Sequence, residues 1–200
     1  GRVEVVTDAG IERFDQVVLA CHSSQTLALL ADADDDERRI LSAIPYQPNR
    51  AWLHTDASLM PRRRSAWAAW NYLSNGDTAS PEVSVTYWLN RLQPLPFRTP
   101  VFVSLNPLSE PAPDKVIARF DYEHPIFDAG AVSAQRALAA VQGRRRTWFA
   151  GAWTGYGFHE DGLKSGLAVA EAIAALAAPE VAQPATAGAV PSAPALAEAA

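Results

Sequence analysis

The sequence predicts a mixed α/β fold in which two terminal segments of helices and buried strands flank a central antiparallel β-sheet. Residues 1–45 and 126–178 contain apolar runs and helical periodicity, whereas residues 46–125 alternate between polar and apolar with a period of two and are interrupted by proline. The alanine- and proline-rich residues 179–200 have almost no large apolar side chains. They cannot offset the entropy of ordering, so we predict a disordered tail.

The first segment is predicted to contain a hairpin, an interior strand and two helices. Residues Val3–Thr7 alternate, and Phe14–Ala20 form a nearly continuous apolar run that is typical of a strand buried on both faces. A short helix is expected over Gln25–Leu30. A second helix follows the acidic cluster Asp34–Glu37, where its N-terminus favours negative charge, and Pro45 ends it.

The middle segment is predicted to contain five half-covered antiparallel strands. Val83, Val85 and Tyr87 share one face of such a strand, and the polar residues between them share the other. Asn75–Gly76 is a strong turn signal. The predicted strands are Arg50–Asp56, Ala66–Tyr72, Val83–Leu89, Val101–Asn106 and Val116–Glu123.

The last segment returns to helix and buried strand. Ala131–Gln142 is alanine-rich and is expected to be a helix that Gly143 ends. Thr147–Ala150 is expected to be a short buried strand, and Asp161–Ala178 a second helix.

Composition and charge argue against several classes of function. The formal net charge of -5 and the pI near 5.3 argue against a nucleic-acid partner, which requires clustered positive charge. The basic runs Arg62–Arg64 and Arg144–Arg146 are interpreted as solvated turns. Cys21 is the only cysteine, so no internal disulfide is possible and a cytoplasmic location is expected. No transmembrane segment is predicted, because no apolar run approaches about 18 residues.

The stretch most informative about function runs from Trp148 to Gly166. A buried strand ends in Gly151, a glycine-rich loop follows, and the helix that begins near Asp161 directs unsatisfied N–H groups toward the same space. Such donors bind electron-rich oxygens, as in a phosphate or the anionic edge of a reduced flavin. Taken alone, a glycine-rich loop of this kind is more often an ordinary strand–loop–helix connection than a cofactor site.

This stretch resembles the C-terminal flavin-binding motif of the flavin-containing amine oxidase and phytoene desaturase superfamily. In that motif an apolar strand ends in Ala-Gly, a polar residue follows, and a helix opens with an acidic residue and closes its first turn with Ser-Gly. Ala150–Gly151, Thr154, Glu160 and Ser165–Gly166 match this register. The string Gly157–Gly162 is similar to that of a bacterial group described as predicted NAD/FAD-binding proteins.

The resemblance implies that FAD is the cofactor and assigns its contacts. Gly151 and Ala152 would approach the pyrophosphate and ribityl chain, whereas Asp161, Gly162 and Leu163 would present backbone N–H groups to the isoalloxazine. One departure concerns Trp153, which stands where amine oxidases commonly have a glutamate. The loop is also shorter than in amine oxidases, and Phe158 is the only candidate for their aromatic cage.

The resemblance extends from residue 1 to about residue 176 and implies a domain organisation. Residues 1–45 and 126–178 would be the C-terminal part of an FAD-binding Rossmann-like domain, and residues 46–125 an inserted substrate domain. The Gly-x-Gly-x-x-Gly fingerprint that binds the ADP half of FAD is absent from the sequence. We therefore expect a part of a longer protein that is inactive alone.

The resemblance favours an FAD-dependent oxidoreductase that transfers a hydride from a small-molecule or lipid-like substrate to the flavin. A flavin-dependent desaturase or isomerase is one alternative, and a non-catalytic flavin-binding protein is another. No catalytic residue is assigned, although His159 adjoins the expected flavin edge. The histidines have no metal-ligand spacing, so no metal site is expected. The sequence carries no indication of the oligomeric state.

The tryptophans have two interpretations. Four of the six lie in the sheet segment, where they could line an apolar substrate cavity or fill the core against the sheet. These four are Trp52, Trp67, Trp70 and Trp88.

Overall fold

The computed structural model describes residues 1–79 and 82–177, and the predicted tail at 179–200 lies outside them. The fold is mixed α/β with an antiparallel sheet, as predicted. The strands are β1 (Val3–Thr7), β2 (Gly10–Phe14), β3 (Val17–Leu19), β4 (Tyr46–His54), β5 (Trp70–Ser74), β6 (Val83–Trp88), β7 (Phe102–Leu105), β8 (Val116–Pro125) and β9 (Thr147–Phe149). The helices are α1 (Ser23–Leu29), α2 (Asp35–Ser42), α3 (Leu89–Leu92), α4 (Ala129–Ala137) and α5 (His159–Ala177).

The middle segment forms one five-stranded antiparallel sheet with the order β5-β6-β7-β4-β8. All five predicted strands are present, with shifted ends. β4 begins at Tyr46 because it pairs with β8 as far as Pro125. β5 begins only at Trp70, since Arg64–Ala66 form a 3-10 turn instead of strand. Asn75–Gly76 does not form a two-residue turn: the N–H of Asn75 donates to the carbonyl of Glu82, seven residues later.

A second, two-stranded sheet joins the two terminal segments. β3 pairs in parallel with β9, and β1 pairs with β2 in a separate hairpin. The prediction that Phe14–Ala20 is one strand buried on both faces is wrong. β3 has three residues, and Val18 is 43% exposed because only one face of β3 packs on the core.

The core of the terminal segments lies between α2, α4 and the end of β9. Its buried residues include Ile40, Leu41, Leu138, Phe149 and Trp153. α4 is shorter than the predicted helix, since the chain tightens to a 3-10 turn after Ala137. These contacts join the strand before the glycine-rich loop to elements more than 100 residues earlier in the chain.

The basic run at 144–146 is not merely solvated, which corrects the sequence interpretation. Arg144 pairs with Asp34 at 2.7 Å, and Arg145 pairs with Asp32 and with the fully buried Glu37. Asp34 and Glu37 belong to the acidic cluster at the start of α2, where they form a capping box, and Asp32 lies just before it. The two charge runs therefore hold the entry to β9 against α2.

Candidate functional site

The glycine-rich loop begins where β9 ends, and its first residue must be glycine for reasons internal to the chain. Gly151 has φ +142°, and a Cβ there would lie 2.8 Å from the Trp153 ring. Its N–H donates to the Ser165 hydroxyl at 2.9 Å, which ties the loop to α5. The loop then turns through a 3-10 helix, Ala152–Thr154.

Trp153, which departs from the family pattern, is a structural residue of this loop. Its side chain is 2% exposed and packs in the core of the terminal segments. Its indole Nε1 donates to the carbonyl of Cys21 at 3.0 Å. The tryptophan therefore fixes the loop against the residues that follow β3.

Asp161 organises the other end of the loop through its side chain. One carboxylate oxygen accepts the N–H groups of Tyr156 at 3.1 Å and Phe158 at 3.0 Å. The helix begins at His159, two residues earlier than predicted, and the backbone N–H groups of Asp161 and Gly162 donate to the carbonyl of Phe158. Asp161, in the first turn of α5, thus provides the acceptor for two N–H groups of the loop that precedes the helix.

The loop leaves two donors together beside α5. Within the part of the chain that the structure describes, the N–H groups of Ala152 and Trp153 have no hydrogen-bond acceptor. The Cβ position at Gly162 is 3.6 Å from the Ala152 nitrogen, so the start of α5 lies against these donors. With the positive end of the α5 dipole beside them, they can bind an anionic oxygen.

The remaining predicted site residues lie on the loop and on the first turns of α5. Thr154 donates its hydroxyl to the Gly151 carbonyl at 2.8 Å, so its oxygen turns into the loop. Glu160 pairs with Lys164 at 3.6 Å on the exposed side of the helix. Leu163 is 57% exposed and faces away from the core. The structure thus brings all the predicted residues to one region, and their contacts with a cofactor stay a prediction.

The five-stranded sheet has one uncharged face, which we call the aromatic face. It is formed by Trp70, Tyr72, Tyr87, Phe120 and Tyr122 together with aliphatic residues and a few polar ones: Gln47, Asn49, Ser74 and His124. Trp70 is 61% exposed and Tyr72 is 73% exposed. We call the opposite face the covered face, because its residues include the buried His54, Phe102 and Ser104. The charged residues of the five strands lie on that side but are themselves exposed: Arg50, Arg119, Asp121 and Glu123.

The covered face explains the other three tryptophans. Trp67 packs edge-on against Trp88 at 5.3 Å and against Phe102 at 5.7 Å, and Trp52 is buried beneath the guanidinium of Arg119. These tryptophans fill the core against the sheet, which is the second of the two interpretations. Only Trp70, of the four in this segment, is available to line a substrate surface.

A buried group of His54, Ser104 and Thr86 on the covered face resembles a hydrolytic site but cannot work as one. His54 Nδ1 accepts the backbone N–H of Asp56 at 3.0 Å, so the ring proton lies on Nε2, which donates to Ser104 at 2.9 Å. A histidine that donates to a serine cannot remove its proton. Burial lowers the pKa of His54, which keeps the ring neutral.

Asp56 is an ionised structural carboxylate next to this group. Burial alone would raise its pKa, but the N–H donors of Ala112 and Ser58, together with Lys115, outweigh burial and hold that pKa well below its usual range. The carboxylate thereby fastens the segment after β4 to the segment before β8.

A cavity of about 610 Å³ lies away from the loop, at the end of the covered face beside the Arg50–Glu110 ion pair. Another, of about 320 Å³, lies between α4 and α5 and is lined in part by Thr154 of the loop. Within residues 1–79 and 82–177, no three His, Cys, Asp or Glu side chains are grouped to hold a metal ion. Across the same residues, no helix combines the length and apolarity that a membrane span requires.

Comparison with known proteins finds similarity only in structure. No protein-family model matches the chain, and no curated protein matches it at a significant level. A CLA-producing fatty acid isomerase from P. acnes matches with a TM-score of 0.55 and 18% identity over 86% of this chain and 44% of its own. A putative protoporphyrinogen oxidase from Exiguobacterium sp. 255-15 covers the same shares with a TM-score of 0.47 and 16% identity.

The similarity to the fatty acid isomerase confirms, at the level of fold, the resemblance predicted from the motif. The chain spans less than half the length of either structure. The Rossmann-like assignment and the domain boundaries stay predictions. Over 86% of its residues, the chain has a fold similar to that of the fatty acid isomerase.

Proposed function

We propose that this chain forms part of an FAD-dependent oxidoreductase, in which the glycine-rich loop contacts the flavin nucleotide and the aromatic face contacts the substrate. The observation that carries the proposal is the pair of unpaired N–H donors of Ala152 and Trp153 at the start of α5. Anionic oxygens of a nucleotide are the ligands that such donors prefer. When bound, FAD would supply an acceptor for a hydride from the substrate.

The residues of the loop fit a flavin nucleotide in two respects. The donors of Ala152 and Trp153 are unused by the chain itself, as expected of groups that a ligand would satisfy. Phe158 and Leu163, at the start of α5, expose apolar surface that an aromatic ring system would cover. In this proposal the side chains of Asp161 and Ser165 hold the loop, and its backbone binds the cofactor.

The aromatic face favours an uncharged, apolar substrate. Its strand residues include no charged side chain, and the rings of Trp70 and Tyr87 pack edge to face at 5.5 Å. Phe120 stacks on Tyr122 at 5.8 Å, which leaves a broad ring surface partly open. A charged substrate portion bound there would lose hydration without an ionic partner. We therefore expect a lipid-like or polycyclic compound.

A flavin-dependent isomerase is the second candidate. The fold similarity to a fatty acid isomerase favours it, since a fatty acid has an apolar chain of the kind that the aromatic face would accept. The loop and the aromatic face would have the same roles in both candidates. The two differ in whether the substrate is left oxidised at the end of the reaction.

The proposed contact with the flavin is tested by Ala152→Pro in the full-length protein. Proline removes one of the two open donors, and its fixed φ suits the first residue of a 3-10 helix. Losing a hydrogen bond to a charged oxygen should lower FAD affinity about tenfold or more, measured by titration of the flavin-free protein. The matched control is Ala57→Pro, because Ala57 is likewise the first residue of a 3-10 turn, Ala57–Leu59, which lies outside the loop.

Unchanged FAD affinity in the Ala152 variant would contradict the proposed contact. With the titrated wild-type protein, anaerobic mixing with apolar electron donors then distinguishes the functions. Bleaching of the flavin supports an oxidoreductase. A rearranged double bond without net bleaching supports the isomerase, and neither change supports a non-catalytic flavin-binding protein.

A further inference from the structure

Two glutamines from the α4 region bind the backbone of β9 and of the glycine-rich loop. Gln135 lies within α4, and its side-chain nitrogen donates to the carbonyl of Trp153 at 2.9 Å and to that of Gly155 at 2.7 Å. The Gln142 side chain forms two hydrogen bonds with the Phe149 backbone: it accepts the N–H at 2.9 Å and donates to the carbonyl at 2.6 Å. Gln135 therefore contacts the loop itself, whereas Gln142 contacts the strand just before it.

The contacts of Gln135 fix the orientation of two peptide planes in the loop. A trans peptide directs its carbonyl and its N–H to opposite sides, so carbonyls turned toward Gln135 direct the N–H groups of Thr154 and Tyr156 away from it. These N–H groups donate to the carbonyl of Gly151 and to the carboxylate of Asp161. One amide thus sets a hydrogen-bond pattern that reaches both ends of the loop.

We infer that Gln135 is a positioning residue that holds the glycine-rich loop in the shape that leaves the N–H groups of Ala152 and Trp153 open for a ligand. The Gln135 amide uses both hydrogens on loop carbonyls, and it is anchored on a helix whose N-terminus is capped by Asp128. Its link to flavin binding rests on the proposed function, whereas its effect on the loop does not.

Gln142 provides a matched control from the same part of the molecule. It bonds Phe149, which is the last residue of β9 and precedes the loop, and it has no hydrogen bond to residues 151–158. Methionine replaces glutamine with a similar length and flexibility but without a donor. Gln135→Met and Gln142→Met therefore each remove one amide, and only the first removes contacts with the loop.

The experiment measures hydrogen exchange of the loop amides in the flavin-free full-length protein, together with FAD affinity. We expect Gln135→Met to accelerate exchange at Thr154 and Tyr156 about tenfold or more and to weaken FAD binding about tenfold, and Gln142→Met to change either about threefold or less. The midpoint of thermal unfolding should fall by a similar amount in both variants. A difference in loop exchange between them then reports positioning and not a general loss of stability.

Two results would overturn the inference. Loop exchange that is no faster in the Gln135 variant than in the Gln142 variant would mean that the amide does not hold the loop. Faster exchange with FAD affinity equal in the two variants would mean that the loop shape does not matter for binding. If the wild-type protein binds no FAD, the proposed function fails, and the exchange comparison still decides whether Gln135 orders the loop.

Discussion

Replacing Asp161 by alanine tests whether this residue acts through its side chain. The carboxylate accepts the N–H groups of Tyr156 and Phe158, at 3.1 Å and 3.0 Å, and lies in the first turn of α5. The substitution removes the one oxygen that accepts both N–H groups, together with the negative charge at the positive end of the helix dipole. Asp161→Asn keeps one acceptor oxygen but not the charge.

The size of the effect follows from these contacts. Removing a side chain that caps a helix start costs about 0.5–2 kcal/mol, and each hydrogen bond to a charged group contributes up to about 1.5–3 kcal/mol where it is buried. Because Tyr156 and Phe158 are exposed, the two bonds of Asp161 lie at the weak end of this range. We expect Asp161→Ala to lower the free energy of unfolding by about 1–2 kcal/mol and the midpoint by about 4 °C.

The assay is thermal and urea unfolding of the full-length protein without flavin, followed by FAD titration. Glu160→Ala is the control, because Glu160 only forms an exposed ion pair with Lys164 at 3.6 Å and its loss should cost less than about 0.5 kcal/mol. Asp161→Asn should fall between wild type and alanine in stability and in FAD affinity. Equal stability of the Asp161→Ala and Glu160→Ala variants would refute the structural role.

Arg145→Ala should destabilise the protein by about 3–5 kcal/mol in urea unfolding, because it leaves the fully buried carboxylate of Glu37 without its ionic partner. Arg144→Ala should cost less than about 1 kcal/mol, since its pairs are partly exposed, and equal losses would contradict this assignment. A second prediction concerns pH. The lowered pKa of His54 means that stability is complete above the unfolded histidine pKa of about 6.5 and falls as pH drops through the folded value. Because the pKa of Asp56 is also lowered, stability should fall again below about pH 4. His54→Asn should remove the decline below about pH 6.5 and keep the one below about pH 4. A wild-type stability that does not change between about pH 7 and 5 would contradict the histidine assignment.

The sequence predicted the strands well where period-two alternation coincided with pairing on both sides. Strand β6 is central in the sheet, and the predicted Val83–Leu89 differs from it only in the last residue. The start of β5 was misplaced because Trp67 leaves the strand to pack against Phe102, and that contact depends on tertiary structure. The run Phe14–Ala20 was misjudged for a similar reason. Apolar composition reports a preference for burial but does not say how many neighbours a strand has.

The candidate site was found by its motif, but its internal supports were not. The motif indicates that Asp161 presents its backbone N–H to a ligand. An acid at the third position of a helix also signals that its side chain caps the N–H groups just before the helix. That signal could have identified the role of Asp161. Gln135 and Trp153 carried no comparable signal, because their partners lie 18 or more residues away in the sequence.

The glycines of the motif do not all carry the same information about a ligand. The chain's own atoms require three of them: an added Cβ would lie 2.8 Å from an indole ring at Gly151, 2.7 Å from a carboxylate at Gly155 and 3.1 Å from a phenyl ring at Gly157. At Gly162 the nearest atom is 3.6 Å away, and at Gly166 no atom lies within 4 Å among the described residues. Glycine inside a helix costs about 0.5–1 kcal/mol relative to alanine. Because packing within the described residues does not require glycine at these two positions, they are the ones whose glycines a bound molecule would explain.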